Sequence, residues 1–298
     1  MKYRLIDEEK SRHTISRLCR ALGVTRAGYY AHKTRPTSRR SLQDAHLKEL
    51  IEKAFVDSHR TYGAPRIHAE LLLANGVHVS RKRVARLMRE LDIIGVSRRK
   101  AKGRRKKLAP ETAAAPDLVK RDFSAKAPNE LWVADITYVP TWEGWLFLAV
   151  VTDVFTKRIV GWSMRDDIAA DIVVDALGMA ATMQRPGPEL VHHSDRGAQY
   201  RSLALGKTLR ETGIMQSMGS RGDAYDNAEA ESVMSTIKNE YVKRHRFKTR
   251  DEARLGLFSF IEGFYNPHRR HSSLGYRSPM EYEKMWAEDA ELAASIRS

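Results

Sequence analysis

The stretch LWVADITYVPTWEGWLFLAVVTDVF, from Leu131 to Phe155, decides the fold of this chain. Residues 131–139 alternate between two faces, and a period of two residues predicts a β-strand. One face carries Val133, Asp135, Thr137 and Val139, and the other carries Trp132, Ala134, Ile136 and Tyr138. After a turn at residues 141–144, WLFLAVVTDVF is apolar on both faces, which predicts a strand in the centre of a sheet. RIVGWSM, residues 158–164, predicts a third strand, so an antiparallel meander is expected.

Helices and short strands are predicted to alternate after the meander. IAADIVVDALGMAATM, residues 168–183, has the spacing of an amphipathic helix, and ELVHHS, residues 189–194, is typical of a short strand. A helix is then predicted over residues 200–212, a strand over 214–217 and another helix from about residue 227. This order is that of a ribonuclease-H-like fold, which has a mixed sheet and belongs to the α/β class.

The last of these helices is predicted from RGDAYDNAEAESVMSTIK, residues 221–238. Asp226 or Asn227 can cap its first turn through a side-chain oxygen. Glu229 and Glu231 lie where negative charge suits the helix dipole. That placement alone explains both glutamates without any role in chemistry.

Three acidic residues are nevertheless candidates for catalysis. Asp135 lies mid-strand beside apolar neighbours, where a carboxylate is costly unless it is paired or bound to a metal ion. Asp195 follows a strand, at the carboxyl end where ligands collect in open α/β sheets. Glu231 shares one side of its helix with Lys238, about 10 Å further along the axis. Three such carboxylates can converge to hold two Mg²⁺ ions about 4 Å apart.

The composition favours a nucleic-acid partner. The 298 residues carry a net charge of +15 and the isoelectric point is near 9.9, a balance that suits a polyanion, although charge alone also fits a merely basic protein. The single cysteine, Cys19, excludes internal disulfides and zinc sites built on paired cysteines. No apolar run approaches the roughly 18 residues of a membrane span, so we expect no membrane partner and a cytoplasmic location.

Residues 1–41 are predicted to form a helix-turn-helix-like segment. Apolar residues recur there at helical spacing, at Ile15, Leu18, Cys19 and Leu22. Gly23 then permits a sharp turn, and Thr25 can cap a second helix. The outline fits a DNA-binding motif and equally a structural helical hairpin, and the sequence leaves both open.

A second helical, DNA-binding domain is predicted over residues 42–95. Ser80 is a good cap for its last helix, which opens with three cations. Cations oppose the dipole at a helix N-terminus, but a recognition helix contacts DNA through those residues. A solvated basic helix is the alternative. The expected DNA contacts of this domain are Arg66, Arg81, Lys82 and Arg83.

Residues 96–127 are predicted to form a basic linker. The run SRRKAKGRRKK, residues 97–107, has eight cations and no apolar face, so it cannot bury enough surface to fold alone. Such a run can track phosphates, which gives affinity without sequence choice. The candidate contacts in it are Arg98, Arg99, Arg104, Arg105, Lys106 and Lys107.

A catalytic core is predicted over residues 128–244, followed by a C-terminal helical extension over residues 245–298. The pattern TRDE at residues 249–252 is a capping box, which opens a helix that ends near Asn266. The compact basic group just beyond it is expected to touch backbone phosphates, with a solvated loop as the alternative. Its members are Arg269, Arg270 and His271.

Four ordered motifs resemble one known family. WVADITYV, HSDRGAQY, DNAEAES and YNPHRRHSSLGYRSPMEYE closely match the B-frame transposases of the third insertion-sequence family, whose catalytic core resembles that of retroviral integrases. The resemblance runs from about residue 17 to about residue 282. It implies that Asp135, Asp195 and Glu231 are the acidic triad and the metal ligands, and that Lys238 is the basic residue that follows the glutamate.

The resemblance also implies an activity. A transposase of this family would cleave and join DNA strands at insertion-sequence ends by two-metal, in-line phosphoryl transfer, with two Mg²⁺ ions for which Mn²⁺ could substitute. Its partners would be double-stranded DNA, at element ends and target, and further copies of itself. An upstream-frame protein or frameshift fusion is a possible partner, and the setting would be a bacterial cytoplasm, at the nucleoid. Two alternatives stay open: a non-catalytic module that binds element ends, and a structure-specific nuclease of the same fold.

Overall fold

The computed structural model describes residues 2–34, 36, 38–96, 115–120, 122–219 and 227–297. The contacts divide the chain into two compact units, residues 1–52 and residues 53–298. The predicted linker cations, Arg98 to Lys107, lie outside the described residues. The domain boundaries that composition suggests stay predictions beside this division.

The first unit is a small helical cluster. It contains α1 (Lys2–Glu9), α2 (Ile15–Ala21), α3 (Arg26–Thr34) and most of α4 (Arg39–Asp57), which continues into the second unit. Ile6, Cys19 and Tyr29 form its buried centre. The predicted turn has Gly23 at φ +61°, and Thr25 accepts a hydrogen bond from the Gly28 backbone N–H at 3.0 Å, as its capping role predicts.

The second unit begins with a pair of packed helices, α5 (Ala64–Leu73) and α6 (Arg81–Glu90). Ile67 and Leu71 of α5 and Val84 and Leu87 of α6 are fully buried. Ser80 caps α6 as predicted, because its hydroxyl accepts a hydrogen bond from the Arg83 backbone N–H at 3.2 Å.

A five-stranded mixed sheet forms the middle of the second unit. The predicted meander is β1 (Leu131–Thr141), β2 (Gly144–Asp153) and β3 (Ile159–Arg165), paired antiparallel in that order. Two short strands, β4 (Val191–Ser194) and β5 (Met215–Met218), extend the sheet on the other side of β1 with parallel pairing. The strand order is therefore β3-β2-β1-β4-β5.

Helices cover both faces of this sheet, and the alternation along β1 decides which residue meets which helix. α7 (Asp171–Gln184) and α8 (Leu203–Thr212) bury the face of Trp132 and Ala134, while Val133 on the opposite face packs with α9 (Ala228–Glu240). The helix predicted from residue 200 begins instead with a short 3₁₀ turn, and Ser202 caps α8.

Two further helices follow. The capping box at Thr249 is confirmed, since its hydroxyl accepts a hydrogen bond from the Glu252 backbone N–H at 3.0 Å at the start of α10 (Arg250–Phe260). A π-helical turn extends α10 to Tyr265, and α11 is Pro279–Arg297. In the part of the chain that the structure describes, no helix has the length and apolar character to cross a membrane.

Candidate active site

Asp135 lies on β1, on the face that packs against α9. It is only partly exposed, and its Oδ1 accepts a hydrogen bond from the Ile136 backbone N–H at 2.8 Å. Burial raises the pKa of Asp135 to about 7, and the negative charges of Asp195 and Glu231 add to the rise, whereas Lys238 opposes it. The site therefore holds a carboxyl group that keeps its proton to a higher pH than an exposed aspartate does.

Asp195 is brought to Asp135 by strand pairing. β1 and β4 run parallel, and Ala134 lies opposite Ser194 in the register, so each aspartate directly follows one member of that pair. β4 ends there, and Asp195 is exposed beyond it, with its Oδ1 accepting a hydrogen bond from the Gly197 backbone N–H at 2.8 Å. Each aspartate thus directly follows the last residue pair that joins β1 to β4. For Asp195 this is the carboxyl end of a strand, where the sequence predicted a site.

Glu231 approaches the same place from the first turn of α9. Partial desolvation raises the pKa of its carboxyl group, and the charge of Asp195 raises it further. Asp135, Asp195 and Glu231 are therefore within electrostatic range of one another. Carboxylates in this range repel one another, and a divalent cation with oxygen ligands is the group that would relieve this repulsion.

The three carboxylates are close but do not form a closed ligand cage. Within the described ranges, no three His, Cys, Asp or Glu side chains are grouped so as to hold a metal ion. The donor set itself fits a hard cation such as Mg²⁺, because it offers carboxylate oxygens only. Holding a metal ion would therefore require these carboxylates to come closer together than they lie in this structure, and Asp195 and Glu231 are both exposed.

Asn227 holds the start of α9 against β1. It occupies the N-cap position, but the expected side-chain cap is wrong for this residue, and Asp226 lies outside the described residues. The Asn227 side chain is buried instead, and its Nδ2 donates a hydrogen bond to the Ala134 backbone oxygen at 3.3 Å. The helix that carries Glu231 is therefore tied to the residue next to Asp135.

The two glutamates of α9 have different surroundings. The Glu229 carboxylate lies 2.9 Å from Lys157 Nζ, in a partly buried ion pair. Glu231 instead responds to the charge of Asp195. Helix capping could not decide which of the two glutamates belongs to the acidic group. Their surroundings favour Glu231.

Lys238 connects the acids to an aromatic side chain. Its charge acts on Asp135, and its Nζ lies 4.8 Å from the centre of the Tyr138 ring. Lys238 is thus at the site with Glu231, two turns along the same helix.

Sequence reasoning missed Tyr200, which belongs to the HSDRGAQY motif. Its hydroxyl is buried and has no hydrogen-bond partner among the described residues. Burial raises its pKa well above its ordinary value, and the charges of Asp135 and Asp195 raise it further. The Tyr200 hydroxyl is therefore an unsatisfied donor in the core, within electrostatic range of two of the acids. The only sequence signal was its place in the motif.

The expected DNA contacts in the helical part have mixed surroundings. Arg81 and Lys82 are exposed at the start of α6, and Arg83 is partly exposed. Arg66, by contrast, points into the protein, where its Nη1 donates to Glu240 at 3.2 Å. The Arg66 guanidinium is thus already engaged in an ion pair with the Glu240 carboxylate.

The structure differs from the sequence-based expectation at Arg269 and Arg270. Arg269 is only 1% exposed and donates two hydrogen bonds of 2.7 Å to the carboxylate of Glu240. Its Nη1 also lies 2.9 Å from His271 Nε2, and together Arg66, Glu240, Arg269 and His271 form what we call the Glu240 cluster.

Arg270 is likewise occupied by carboxylates. Its Nε donates to Glu70 of α5 at 2.7 Å and its Nη1 to Glu281 of α11 at 2.6 Å. Buried guanidinium groups need such partners, so Arg269 and Arg270 act as structural cations here and are not presented to phosphates. The structure therefore corrects the expectation for Arg269 and Arg270, whereas the expected DNA contact of the partly exposed His271 stays a prediction.

Comparison with known proteins gives the family. A model described as "HTH-like domain" matches residues 41–101, and models described as "Integrase core domain" match residues 125–224 and 212–279. The transposase for insertion sequence element IS629 of Shigella sonnei is 37% identical, over 95% of this chain and 95% of its own length. This chain belongs to the third insertion-sequence family of transposases. An uncharacterised 31 kDa protein of insertion element IS600, also from Shigella sonnei, is 40% identical over 90% of this chain and 98% of its own length.

Among solved structures, the magnesium-bound catalytic core of HTLV-2 integrase matches 54% of this transposase and 99% of its own chain, at 15% identity and a TM-score of 0.42. The predicted fold class is confirmed, since an integrase-type mixed sheet follows an all-helical region. The transposase is a DDE polynucleotidyl transferase that acts on DNA.

Proposed function

We propose that this transposase cleaves and joins DNA strands at the ends of its insertion sequence, with Asp135, Asp195 and Glu231 holding two Mg²⁺ ions that Mn²⁺ can replace. The observation that carries the proposal is the pairing of β1 with β4, which places Asp135 and Asp195 directly after the paired residues Ala134 and Ser194, with Glu231 on the helix that Asn227 ties to Ala134. The raised pKa of Asp135, to which burial and both other acids contribute, is consistent with a functional site.

The chain's own residues have defined tasks in this reaction. Bound cations would supply an activated hydroxyl nucleophile and would stabilise the departing 3′-oxygen during in-line displacement at phosphorus. Asp135 would hold a cation through its ionised carboxylate, because an opposite charge lowers a raised carboxyl pKa. Lys238 binds a phosphate or base beside the attacked bond.

Binding to DNA is assigned to the basic surfaces that remain exposed. Arg81 and Lys82 at the start of α6 are in the position from which recognition helices contact DNA, with Arg83 beside them. The linker cations add a salt-dependent, sequence-independent contribution. Because two element ends must be held together, the working species is an oligomer, with an upstream-frame protein or fusion as a further partner.

The test uses DNA that carries the element ends, with Mg²⁺, and follows strand cleavage and joining. Asp195→Ala and Glu231→Gln should abolish both reactions while DNA affinity stays near wild type, because the basic surface is unchanged. The matched control is Glu229→Gln on the same helix turn, which should retain activity.

Three outcomes would count against the proposal. Cleavage by Asp195→Ala at the wild-type rate would remove Asp195 from the site. Binding without cleavage by the wild-type protein would indicate an end-binding module. Cutting without joining or end preference would indicate a nuclease of the same fold.

A further inference from the structure

Two large aromatic side chains lie exposed together at the far end of the β1–β2 hairpin. Tyr138 is 55% exposed and Trp145 is 51% exposed. Trp145 pairs with Pro140 in the strand register, two residues from Tyr138 on the same face. The two ring centres are 4.9 Å apart and the ring planes meet at 76°. The rings therefore form an open corner, which we call the Tyr138–Trp145 corner.

Positive charge borders this corner. Lys238 Nζ lies 4.8 Å from the centre of the Tyr138 ring, a cation–π distance. At the hairpin turn next to it, Trp142 is 74% exposed and Lys248 Nζ lies 5.9 Å from its ring centre. Exposed aromatic rings combined with lysines are the composition of surfaces that bind single-stranded nucleic acid.

Lys238 links the corner to the acidic group. Tyr138 follows Asp135 by three residues on β1, about 10 Å along the strand, and its side chain leaves the opposite face of the sheet. Lys238 belongs to both places, since it lies over Tyr138 and its charge acts on Asp135. The pairing of β1 with β4 ends at Ala134, so β1 has no β4 neighbour beside Tyr138. A DNA strand that ran from the carboxylates past Lys238 and around this edge would bring its next nucleotides to the two rings.

We propose that Tyr138, Trp145 and Lys238 form a stacking site for one unpaired nucleobase, next to the bond that is cut or joined. The proposal rests on the proposed function, because it takes the DNA strand to lie at the carboxylates. A base in the corner stacks on one ring and meets the edge of the other, while Lys238 neutralises the adjoining phosphate. Every base has an aromatic face, so the site selects unpaired DNA without selecting sequence.

A second aromatic pair, with one exposed ring and one partly exposed ring, provides a comparison. Phe258 of α10 is 50% exposed, and its ring meets that of Trp162 at 64° with centres 5.9 Å apart. Its surroundings differ in charge, because Asp175 lines the same surface pocket and Arg254 there pairs with Asp166. This pair therefore has similar shape without a basic border, and we assign no DNA to it.

The test measures binding without cleavage. Full-length protein carrying Glu231→Gln is mixed, in EDTA, with a blunt DNA duplex or with the same duplex bearing a three-nucleotide single-stranded overhang that contains 2-aminopurine. Affinity is read by anisotropy, and stacking by quenching of the 2-aminopurine fluorescence. We expect tighter binding of the overhang DNA and a quenched signal.

Substitutions in the corner should remove that preference selectively. Adding Trp145→Ala or Tyr138→Leu should weaken overhang binding roughly tenfold and restore the fluorescence, with blunt-duplex affinity unchanged. Tyr138→Phe keeps an aromatic face and should behave as the parent, and Phe258→Ala is the matched control.

Equal affinity of the parent for both DNAs, or an unchanged preference in Trp145→Ala and Tyr138→Leu, would overturn the stacking site. The proposed function fails separately, through absence of cleavage by the wild-type protein with Mg²⁺. Overhang preference in a protein that does not cleave would therefore uphold the stacking site and reject the catalytic assignment alone.

Discussion

Replacing Asp135 by asparagine should stabilise the metal-free transposase, by an amount that grows with pH. Burial and two neighbouring acids raise the pKa of Asp135 from its ordinary value of 3.8 to about 7. Each pKa unit of such a shift between the unfolded and folded chain changes the free energy of unfolding by about 1.4 kcal/mol. The native state therefore carries a penalty of about 4 kcal/mol when this carboxyl group is ionised.

The pH window follows from the direction of the shift. Below about pH 4 both states hold the proton and no penalty exists. Between about pH 4 and pH 7 the unfolded chain ionises first, so the folded protein loses stability as pH rises. Above about pH 7 both states are ionised and the penalty is constant. The free energy of unfolding of Asp135→Asn should thus exceed that of wild type by about 2 kcal/mol at pH 5 and about 4 kcal/mol at pH 8.

Urea unfolding in EDTA, followed by tryptophan fluorescence, measures this difference. All five tryptophans belong to the unit formed by residues 53–298, so the signal reports the sheet that carries Asp135. The control is Asp289→Asn, an exposed carboxylate on α11, which should change stability little at either pH. Adding Mg²⁺ should reduce the difference in stability between Asp135→Asn and wild type, because the cation stabilises wild type more than Asp135→Asn.

The reasoning would be refuted by an Asp135→Asn protein that is less stable than wild type at pH 8. An equal difference at pH 5 and pH 8 would also refute it, since the effect would then be packing and not ionisation.

Three further predictions concern other parts of the molecule. Glu240→Ala should cost about 3–5 kcal/mol in urea unfolding, because it leaves the buried Arg269 without its carboxylate; a loss below about 1 kcal/mol would show that solvent reaches the guanidinium. Gly161→Ala should lower the melting temperature clearly, since a Cβ there would lie 2.2 Å from the Ala176 backbone oxygen, and an unchanged value would contradict that packing. Replacing four linker cations by alanine should flatten the salt dependence of DNA binding. A slope equal to that of wild type would show that these residues do not meet phosphates. The four are Arg104, Arg105, Lys106 and Lys107.

The sheet and the position of Asp135 could be predicted because they depend on short-range pattern. Alternation along β1 states which residues share a face, and the structure keeps Val133 with α9 and Trp132 with α7 and α8. An acid within that pattern is visible without any knowledge of its partners. Ser80 and Thr249 were predictable as caps for the same reason, since each bonds a backbone N–H three residues on.

The failures of prediction occur where the partner is distant in sequence. Arg269 meets Glu240 across 29 residues, and Arg270 meets Glu70 across 200 residues. A cluster of cations near a turn looks like a solvent-facing group until those carboxylates are placed. Asn227 gives the same lesson, because its local capping preference loses to an acceptor 93 residues away on β1.

The Glu240 cluster has a consequence for where the DNA is cut. Arg66 belongs to α5 and Glu240 ends α9, so the helix pair that includes α6 shares a buried carboxylate with the helix that carries Glu231. These hydrogen bonds join α5, on which α6 packs, directly to α9 within the unit of residues 53–298. On the proposed function, we expect the attacked bond to lie a constant number of base pairs from the DNA sequence that α6 is proposed to contact, whatever length of linker joins the two along the chain.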